Sequence, residues 1–205
     1  MKNSIGRFVG GRKKIAARQL MVLKELAQNP RGMGSLCPSS ARLAREMARA
    51  VPARVRPNEV FIEIGAGTGP VTEALLQRGI PSDRLIVIEK SPLLAESLVA
   101  RFPQVNVSCR GAESMSECLS GNERVRAIVS SLPFRSLPRK ISLSIMSEIE
   151  RVLAPGGLFI QFTYAIAGEM HFIPLGFKKL RSNIVLRNIP PAKVEVYMKP
   201  RAARH

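Results

Sequence analysis

Three glycines alternate with other small residues directly after an apolar stretch, where residues 61–69 read FIEIGAGTG. A strand that ends in such a turn brings bare backbone close to a bound nucleotide-like ligand, because a side chain at this point would block the approach. An acid, Glu63, lies inside the strand end ahead of the glycines, which differs from the dinucleotide-binding pattern. The spacing therefore predicts a turn that binds a nucleotide-like ligand of another kind.

A second acid lies at the end of the next predicted strand. Glu89 follows Gly69 by 20 residues, a separation at which a carboxylate can accept hydrogen bonds from both hydroxyls of a ribose. A carboxylate only accepts hydrogen bonds and is therefore well suited to a diol. The alternative is an acid merely left exposed at a strand end, and we favour the ligand role because the glycine turn predicts this position in advance.

Residues 63–69 resemble the first motif of S-adenosylmethionine (SAM) methyltransferases. The resemblance implies that SAM is the cofactor and S-adenosylhomocysteine the product. Glu63 would bind the amino group of the methionine part, directly or through water, or it would cap the amides of the turn. The cofactor contacts predicted in this part of the chain are Glu63, Gly65, Ala66, Gly67, Thr68, Gly69, Glu89 and Lys90.

Two later segments complete the predicted cofactor site. SAM enzymes often have an acid after the third strand that accepts a hydrogen bond from the adenine amino group. Here Ala112 occupies the commonest place, between Gly111 and Glu113. Either Glu113 substitutes for the missing acid, or the contact is with backbone alone. Ser130, at the end of the predicted fourth strand, is the last predicted cofactor contact.

The segment after Ser130 reads SLPF, and enzymes that methylate amines often place a polar residue, a proline and an aromatic there. Backbone carbonyls around Ser131 and Leu132 could hold the N–H groups of an acceptor amine, and Phe134 could cover the methyl-transfer path. Tyr164 ends the fifth predicted strand and would face the same crevice. These four residues are the predicted catalytic set, although a strand end with a proline turn would explain the segment as well.

Alternating strands and helices must position these residues, which predicts an α/β fold with a parallel sheet. The resemblance to SAM methyltransferases implies that this fold is the Rossmann-like class I form. Its sheet has seven strands, mostly parallel, and ends in a C-terminal antiparallel hairpin. The predicted strands are 59–64, 85–89, 105–109, 125–130, 158–164, 183–189 and 193–198, with a turn at 155–157. The predicted helices are 39–50, 70–78, 91–101 and 139–153.

The formal net charge of +17 is unevenly distributed. Residues 1–56 hold 13 Lys and Arg against 2 acids, residues 57–164 hold 11 against 11, and residues 165–205 hold 8 against 2. This asymmetry predicts a neutral body with basic segments at both flanks. We therefore divide the chain into a basic, amphipathic helical N-terminal extension over 1–56 and a domain over 57–205, which the resemblance of residues 63–69 implies is a SAM-dependent methyltransferase domain. The asymmetry also predicts a polyanionic partner, either nucleic acid or an anionic membrane surface.

The residues after Gly11 place bases on one helical face and apolar side chains on the other, as in a cationic helix that lies on a membrane. A helix that packs on its own domain would show the same pattern. No apolar stretch approaches the roughly 20 residues that span a bilayer, and the N-terminus lacks the features of a secretory signal. If the chain meets a membrane, it is therefore predicted to do so from one side only.

Five segments together resemble the bacterial phospholipid N-methyltransferases of the rhizobial type, over roughly residues 18–198. They are residues 29–40 (with NPR and GSLCPSS), 63–75 (EIGAGTGPVTEAL), 131–134 (SLPF), 161–164 (QFTY) and 188–194 (NIPPAKV). Enzymes of this family methylate phosphatidylethanolamine stepwise to phosphatidylcholine. The resemblance implies peripheral binding to anionic lipid at the inner face of the cytoplasmic membrane. The missing aspartate at the adenine position is a departure from the family.

Cations are then expected to meet the lipid phosphate and the membrane surface. The predicted substrate and membrane contacts are Arg12, Lys13, Lys14, Arg18, Arg31, Ser35, Lys179 and Arg181. The nearest alternative is an RNA methyltransferase of the ribosomal RNA adenine dimethylase type, which predicts Asn-Leu-Pro-Tyr where this chain has Ser131 to Phe134. We therefore expect a monomer that binds lipid and no nucleic acid. The three cysteines and two histidines match no metal motif, so we expect no metal and no disulfide.

Overall fold

The computed structural model of the protein describes residues 41–164, 173–174, 176–186 and 191–201. All of them belong to one compact unit, Pro38–His205. The sequence boundary after residue 56 grouped the helix Ala41–Ala50 with the extension, whereas the structure packs this helix into the compact unit. The charge of the chain changes near residue 56, whereas the compact unit begins at Pro38.

Seven strands form one sheet in the order β3-β2-β1-β4-β5-β7-β6. The strands are β1 Glu59–Ile64, β2 Leu85–Ile88, β3 Asn106–Ser108, β4 Arg124–Ser130, β5 Leu153–Thr163, β6 Lys178–Val185 and β7 Ala192–Met198. Neighbours from β3 to β5 are parallel, and β7 is antiparallel to both β5 and β6. The Rossmann-like, mostly parallel sheet with a terminal hairpin is confirmed.

Helices cover both faces of the sheet. They are α1 Ala41–Ala50, α2 Pro70–Gln77, α3 Pro92–Arg101 and α4 Arg139–Val152, with 3₁₀ turns at Ser82–Arg84 and Ala112–Cys118. Proline begins α2 and α3, where its fixed φ suits the first turn and the missing N–H has no intrahelical partner to lose. The first three helices bury residues such as Met47 and Leu75 against one face, and α4 buries Ile149 against Phe159 on the other.

Two strands begin five residues earlier than predicted, whereas the starts of the other strands lie within one residue of the prediction. β5 begins at Leu153 and continues through the predicted turn, which the sheet accommodates by a shift in the pairing of Val125 and Ala127 with β5. β6 begins at Lys178 instead of residue 183. It is an edge strand whose first seven residues are exposed, so it lacks the apolar alternation by which strands are recognised. Within the part of the chain that the structure describes, no helix is long and apolar enough to cross a membrane.

Candidate active site

The three glycines of the turn after β1 have different physical roles. All three have positive φ, at 71° for Gly65, 60° for Gly67 and 86° for Gly69. A Cβ at Gly65 would overlap the side chain of Leu132, and one at Gly69 would overlap that of Phe102, whereas a Cβ at Gly67 would meet nothing within 4 Å. The outer glycines are therefore required by packing, and the middle one leaves open space beside the turn.

Glu89 joins this turn to the end of β2. Glu89 is only 8% exposed, and its carboxylate accepts hydrogen bonds from the backbone N–H of Gly67 at 2.8 Å and of Ser91 at 2.9 Å. Each carboxylate oxygen keeps a second lone pair that could accept a hydrogen bond from a ligand. The arrangement agrees with the predicted ribose contact, which remains a prediction.

Glu63 is fully buried at the end of β1. Its Oε2 accepts a hydrogen bond from the Thr72 hydroxyl at 2.6 Å, and its Oε1 has no hydrogen-bond partner among the described residues. Burial raises the pKa of Glu63 from 4.5 to about 7, against the lowering effect of Thr72 and with a further contribution from the charge of Glu89. A buried acceptor without a donor is a suitable contact for the amino group of a ligand.

The remaining residues of the turn lie around this centre. Ala66 is buried in the core, and the Thr68 carbonyl accepts a hydrogen bond from Arg101 at 2.9 Å. That bond holds the turn against the last residue of α3. Thr68 therefore has a structural contact in addition to its predicted cofactor contact.

Glu113, and not Ala112, presents a carboxylate at the predicted adenine position. The side chain of Ala112 is buried in the core, whereas Glu113 is partly exposed and folds over Gly111, where a Cβ would overlap it. The exposed Lys90 brings its Nζ to 3.9 Å from Glu113 Oε1. Of the two alternatives left open by the sequence, the structure keeps Glu113 available, and its contact with adenine remains a prediction.

A backbone hydrogen bond joins the turn after β4 to the end of β1. Ser131 donates its backbone N–H to the Ile64 carbonyl at 3.0 Å, and the buried Ser130 hydroxyl accepts the N–H of Leu132 at 3.2 Å. The Leu132 side chain then fills the space over Gly65. Ser130 therefore shapes the turn from inside, and its direct cofactor contact stays a prediction.

Two predicted catalytic roles in this turn are corrected. The Leu132 carbonyl accepts hydrogen bonds from the Phe134 N–H at 3.0 Å and from Gln161 Nε2 at 2.9 Å, so both of its lone pairs are engaged and it cannot hold an acceptor amine. Phe134 is only 2% exposed and packs edge-on against Phe159 at 6.3 Å. Its ring therefore belongs to the core under α4 and does not cover a transfer path.

Gln161 is a candidate that the sequence reasoning missed as a site residue. It is 2% exposed near the end of β5, and its Nε2 donates to the carbonyls of Leu132 and of Phe162, at 2.9 and 2.6 Å. Because both partners are acceptors, the amide orientation is fixed, and Oε1 is left as a buried acceptor without a partner among the residues described. The signal in the sequence was a lone amide within an otherwise apolar strand.

Tyr164 lies at the end of the same strand. It is half-buried and packs edge-to-face on Phe162, with ring centroids 5.3 Å apart and planes at 78°. Tyr164 and Gln161 thus both lie at the carboxyl edge of the sheet, where ligands of open α/β sheets bind. The catalytic role of Tyr164 remains a prediction.

Lys179, predicted to contact a lipid phosphate, forms an ion pair with a buried carboxylate. Its Nζ lies 2.7 Å from Oε1 of the buried Glu195, and Lys193 Nζ lies 3.2 Å from the same oxygen. Burial alone would raise the pKa of Glu195, but hydrogen bonds and charge from the two lysines outweigh it and lower that pKa. Arg181 is exposed on β6 and keeps its predicted role as a surface cation.

The other predicted substrate and membrane contacts lie outside the described residues. They are Arg12, Lys13, Lys14, Arg18, Arg31 and Ser35. Cys109 and Cys118 are free thiols. Over the described ranges, no group of His, Cys, Asp and Glu is arranged to hold a metal ion.

Two curated proteins are similar to this chain. Ornithine lipid N-methyltransferase of Singulisphaera acidiphila is 33% identical over 165 residues, which cover 78% of this chain and 85% of that protein. Ribosomal RNA small subunit methyltransferase A of Maridesulfovibrio salexigens is 29% identical over 118 residues, which cover 58% of this chain and 43% of that protein.

The fold is similar to that of solved methyltransferases. The N-methyltransferase NodS of Bradyrhizobium japonicum, in complex with S-adenosylhomocysteine, superimposes with a TM-score of 0.66 at 16% identity, over 89% of this chain and 98% of that one. Residues 61–157 match a family model described as a methyltransferase domain. This segment runs from the middle of β1 into β5 and includes the glycine turn, Glu89 and the turn after β4.

We expect Gly67→Ala to weaken cofactor binding while the protein stays folded. The new methyl group would enter the open space beside the turn, so affinity for S-adenosylhomocysteine should fall by about tenfold or more in a calorimetric titration. Gly79→Ala is the matched control, since Gly79 also has positive φ and open space but lies outside the site. Each substitution should cost about 1–2 kcal/mol of stability from the left-handed backbone. Equal affinity in the two variants would contradict the assignment.

We also expect cofactor binding to depend on pH through Glu63. Its pKa of about 7 keeps it protonated below pH 7 in the free protein, and a bound amino group favours the carboxylate. Affinity for S-adenosylhomocysteine should therefore rise as the pH increases from about 5.5 to 7, by up to tenfold per unit, with proton release. Calorimetry in buffers of different ionisation enthalpy measures that release, and Glu63→Gln should bind weakly without this pH dependence.

The same shift predicts an effect on the stability of the cofactor-free protein. A carboxyl whose folded pKa is raised stabilises the protein below its unfolded pKa of about 4.5, and this contribution is lost as the pH rises through 7. Glu63→Gln should therefore match the wild type near pH 5 and exceed its free energy of unfolding above pH 8, by a few kcal/mol at most. Stability curves that stay parallel over this range would contradict the burial of a titrating carboxyl.

The site fits SAM on three features of the chain itself. Gly67 leaves space that a Cβ would fill, Glu89 offers free lone pairs beside it, and Glu63 holds a buried acceptor for an amino group. The similarity to a relative over 85% of its length, the matching methyltransferase domain and the shared fold agree with this chemistry. The chain belongs to the SAM-dependent class I methyltransferases, and its cofactor is SAM.

Proposed function

We propose that this enzyme methylates the primary amine of a membrane lipid, stepwise, at the inner face of the cytoplasmic membrane. The observation that carries the proposal is the similarity to a lipid N-methyltransferase over most of both chains. Phosphatidylethanolamine is the acceptor implied by the sequence resemblance. Ornithine lipid is the second candidate, because it is in the name of the 33% identical relative. Both headgroups present a primary amine.

The chemistry requires a neutral amine with its lone pair aimed at the methyl donor. An alkyl amine has a pKa of about 10 and is protonated at neutral pH, so the site must remove a proton before each transfer. When bound, SAM supplies an electrophilic methyl group on a sulfonium. The chain must hold the amine in line and exclude water. Positive charge moves to the amine nitrogen as its bond to the methyl carbon forms, and one proton leaves per transfer.

We assign the holding of the amine to the carboxyl edge of β5. Gln161 Oε1 can accept an N–H of the acceptor, because its own amide hydrogens are engaged by two carbonyls. Tyr164 offers a ring face that suits the cation formed as methyl groups accumulate. The contact between Leu132 and Gly65 keeps this edge directly beside the cofactor turn.

The surface of β6 supports contact with a membrane. Leu180, Ile184 and Leu186 are large apolar side chains that are 47%, 49% and 73% exposed. The exposed cations Lys178 and Arg181 lie on the same strand. Apolar side chains next to cations suit an anionic lipid surface, to which each base near the surface contributes about 1 kcal/mol. We propose that the enzyme works there as a monomer, together with the basic N-terminal extension.

The alternative of an RNA methyltransferase receives less support. The similarity to the ribosomal RNA enzyme covers only 43% of that protein. An RNA adenine enzyme would use an Asn side chain and a stacking Tyr, where this chain has Ser131 and the buried Phe134. Since the Phe134 ring packs on Phe159, it is not available to stack on a base.

We expect the purified protein to transfer labelled methyl groups to lipid amines in mixed vesicles. Phosphatidylethanolamine and ornithine lipid are supplied in parallel, and the mono-, di- and trimethylated products are separated by thin-layer chromatography. Ribosomal RNA is the control acceptor and should remain unlabelled. Labelled RNA with unlabelled lipid would overturn the proposal.

A membrane arm of the same assay varies salt and vesicle charge. Adsorption through basic residues should weaken with ionic strength, because surface electrostatics are screened over about 10 Å at 0.1 M salt. Transfer should therefore fall at high salt with anionic vesicles, while transfer to lipid in detergent micelles should change little. Identical salt profiles on both carriers would argue against surface adsorption.

Gln161→Met should lower lipid methylation while cofactor binding is kept. The substitution preserves volume but removes the acceptor oxygen, so kcat should fall by about tenfold or more, the equivalent of one lost hydrogen bond. Affinity for S-adenosylhomocysteine should stay within about twofold, since the described hydrogen bonds of the Gln161 side chain go to the carbonyls of Leu132 and Phe162 and to none of the predicted cofactor residues.

A purely structural role for Gln161 would give a different result. Loss of the bond to the Leu132 carbonyl would then loosen the turn over Gly65, so cofactor affinity and catalysis would decline together. The matched control is Gln77→Met, which changes an exposed glutamine at the end of α2 and should leave both quantities unchanged.

A further inference from the structure

An arginine-lined cleft lies at the edge of the sheet opposite the cofactor turn. Its volume is about 540 Å³, within the range of small-molecule sites. The charged residues that line it are Arg54, Arg56, Glu59, Arg124, Arg126 and Arg201. Five cations and one acid therefore face the same space.

The cleft is separate from the active site. Glu59 and Arg124 are the first residues of β1 and β4, whereas the cofactor turn follows the last residue of β1. Six residues of extended strand span about 20 Å. Cofactors of open parallel sheets bind at the carboxyl edge, so this cleft at the amino edge requires another occupant.

Contacts with β5 hold two of the guanidinium groups in place. Arg124 Nη2 donates to the Pro155 carbonyl at 3.0 Å, and Arg126 Nη1 donates to the Gly156 carbonyl at 2.8 Å. A guanidinium has five N–H donors, so each of these groups is oriented by a backbone bond and keeps donors for a ligand. The Arg201 side chain lies over Gly156, where a Cβ would come within 3.3 Å of it.

The charge in the cleft is far from balanced. Glu59 is only 3% exposed. Its carboxylate accepts a hydrogen bond from the backbone N–H of Arg56 at 3.0 Å and lies 3.7 Å from Arg126 Nε. Arginine stays charged at any physiological pH, so the cleft carries four positive charges in excess of its one acid. Such a cluster repels itself, and a multivalent anion would relieve the repulsion.

We propose that this cleft binds a phosphate-bearing anion with two or more negative charges. Arginine forks pair with phosphate oxygens in bidentate geometry, and a phosphate offers more oxygens to converging guanidinium groups than a carboxylate does. The ligand is either the headgroup of an anionic lipid or a soluble phosphate ester. The proposal does not depend on the lipid methylation proposed above.

Inorganic pyrophosphate is the probe that tests the site. Calorimetric titration of the full chain should show binding, and the variant Arg54→Gln/Arg124→Gln/Arg201→Gln should bind at least about tenfold more weakly. The control variant Arg78→Gln/Arg139→Gln/Lys140→Gln removes the same charge from exposed positions elsewhere and should keep affinity within about twofold. Binding of S-adenosylhomocysteine should be unchanged in all three proteins, which verifies that they are folded.

Vesicles then distinguish the two sources of the phosphate. If a lipid headgroup is the ligand, the cleft variant should bind vesicles containing phosphatidic acid more weakly than the control variant, and pyrophosphate should compete. If the ligand is soluble, both variants should bind the vesicles equally, while the cleft variant should still bind pyrophosphate more weakly than the control variant. The proposal is wrong if pyrophosphate fails to bind the wild type, or binds the wild type and the cleft variant equally. Methylation activity plays no part in either outcome.

Discussion

The carboxylate of Glu89 connects the two strand ends on which the cofactor site depends. One oxygen accepts the N–H of Gly67 and the other accepts that of Ser91, so the turn after β1 and the loop after β2 share a single acceptor. Hydrogen bonds to a charged acceptor are about twice as strong as neutral ones. The same contact fixes the backbone of the middle glycine, where a Cβ would meet nothing within 4 Å. The cofactor surface is thus assembled by the group that is also predicted to bind the ribose.

The neighbouring acid illustrates a cost that binding can offset. Glu63 is buried with one oxygen unpartnered by any described residue, and burial raises its pKa to about 7. A buried carboxylate without enough donors is unfavourable in the empty protein. The amino group of the cofactor would provide both a donor and a compensating charge. Above pH 7 the free energy of unfolding of the free enzyme is therefore expected to be lower than it would be with an amide at this position. Binding of a cationic ligand would offset this difference.

Local spacing was sufficient to predict the turn and the strand end on which the candidate site is built. The glycine turn and Glu89 are determined by a strand, a tight turn and the length of one βα unit, all of which are local in sequence. The strands and helices from 59 to 152 followed from periodicity and from prolines at helix starts for the same reason. The charged edge strand β6 has no apolar alternation, so its first half could not be recognised.

Roles that depend on the direction of a side chain could not be predicted. Whether Phe134 faces the crevice or the core depends on how α4 packs on the sheet, and whether the Leu132 carbonyl is free depends on Gln161 from a strand 29 residues away. The arginine cleft is an even less local feature, because Arg54, Arg124 and Arg201 meet only in the folded sheet. Composition alone suggested that residues 57–164 were electrically neutral.

That neutrality conceals a separation of charge across the sheet. Glu63 and Glu89 lie at the carboxyl edge, where the cationic cofactor is predicted to bind, while Arg124 and Arg126 lie at the amino edge. The two edges are about 20 Å apart, which for charges exposed to solvent is more than two Debye lengths at physiological salt. The arginines therefore repel the cofactor only weakly, and the acids do not neutralise the cleft. A sheet of this length can thus hold a site for a cation and a site for an anion without either one weakening the other.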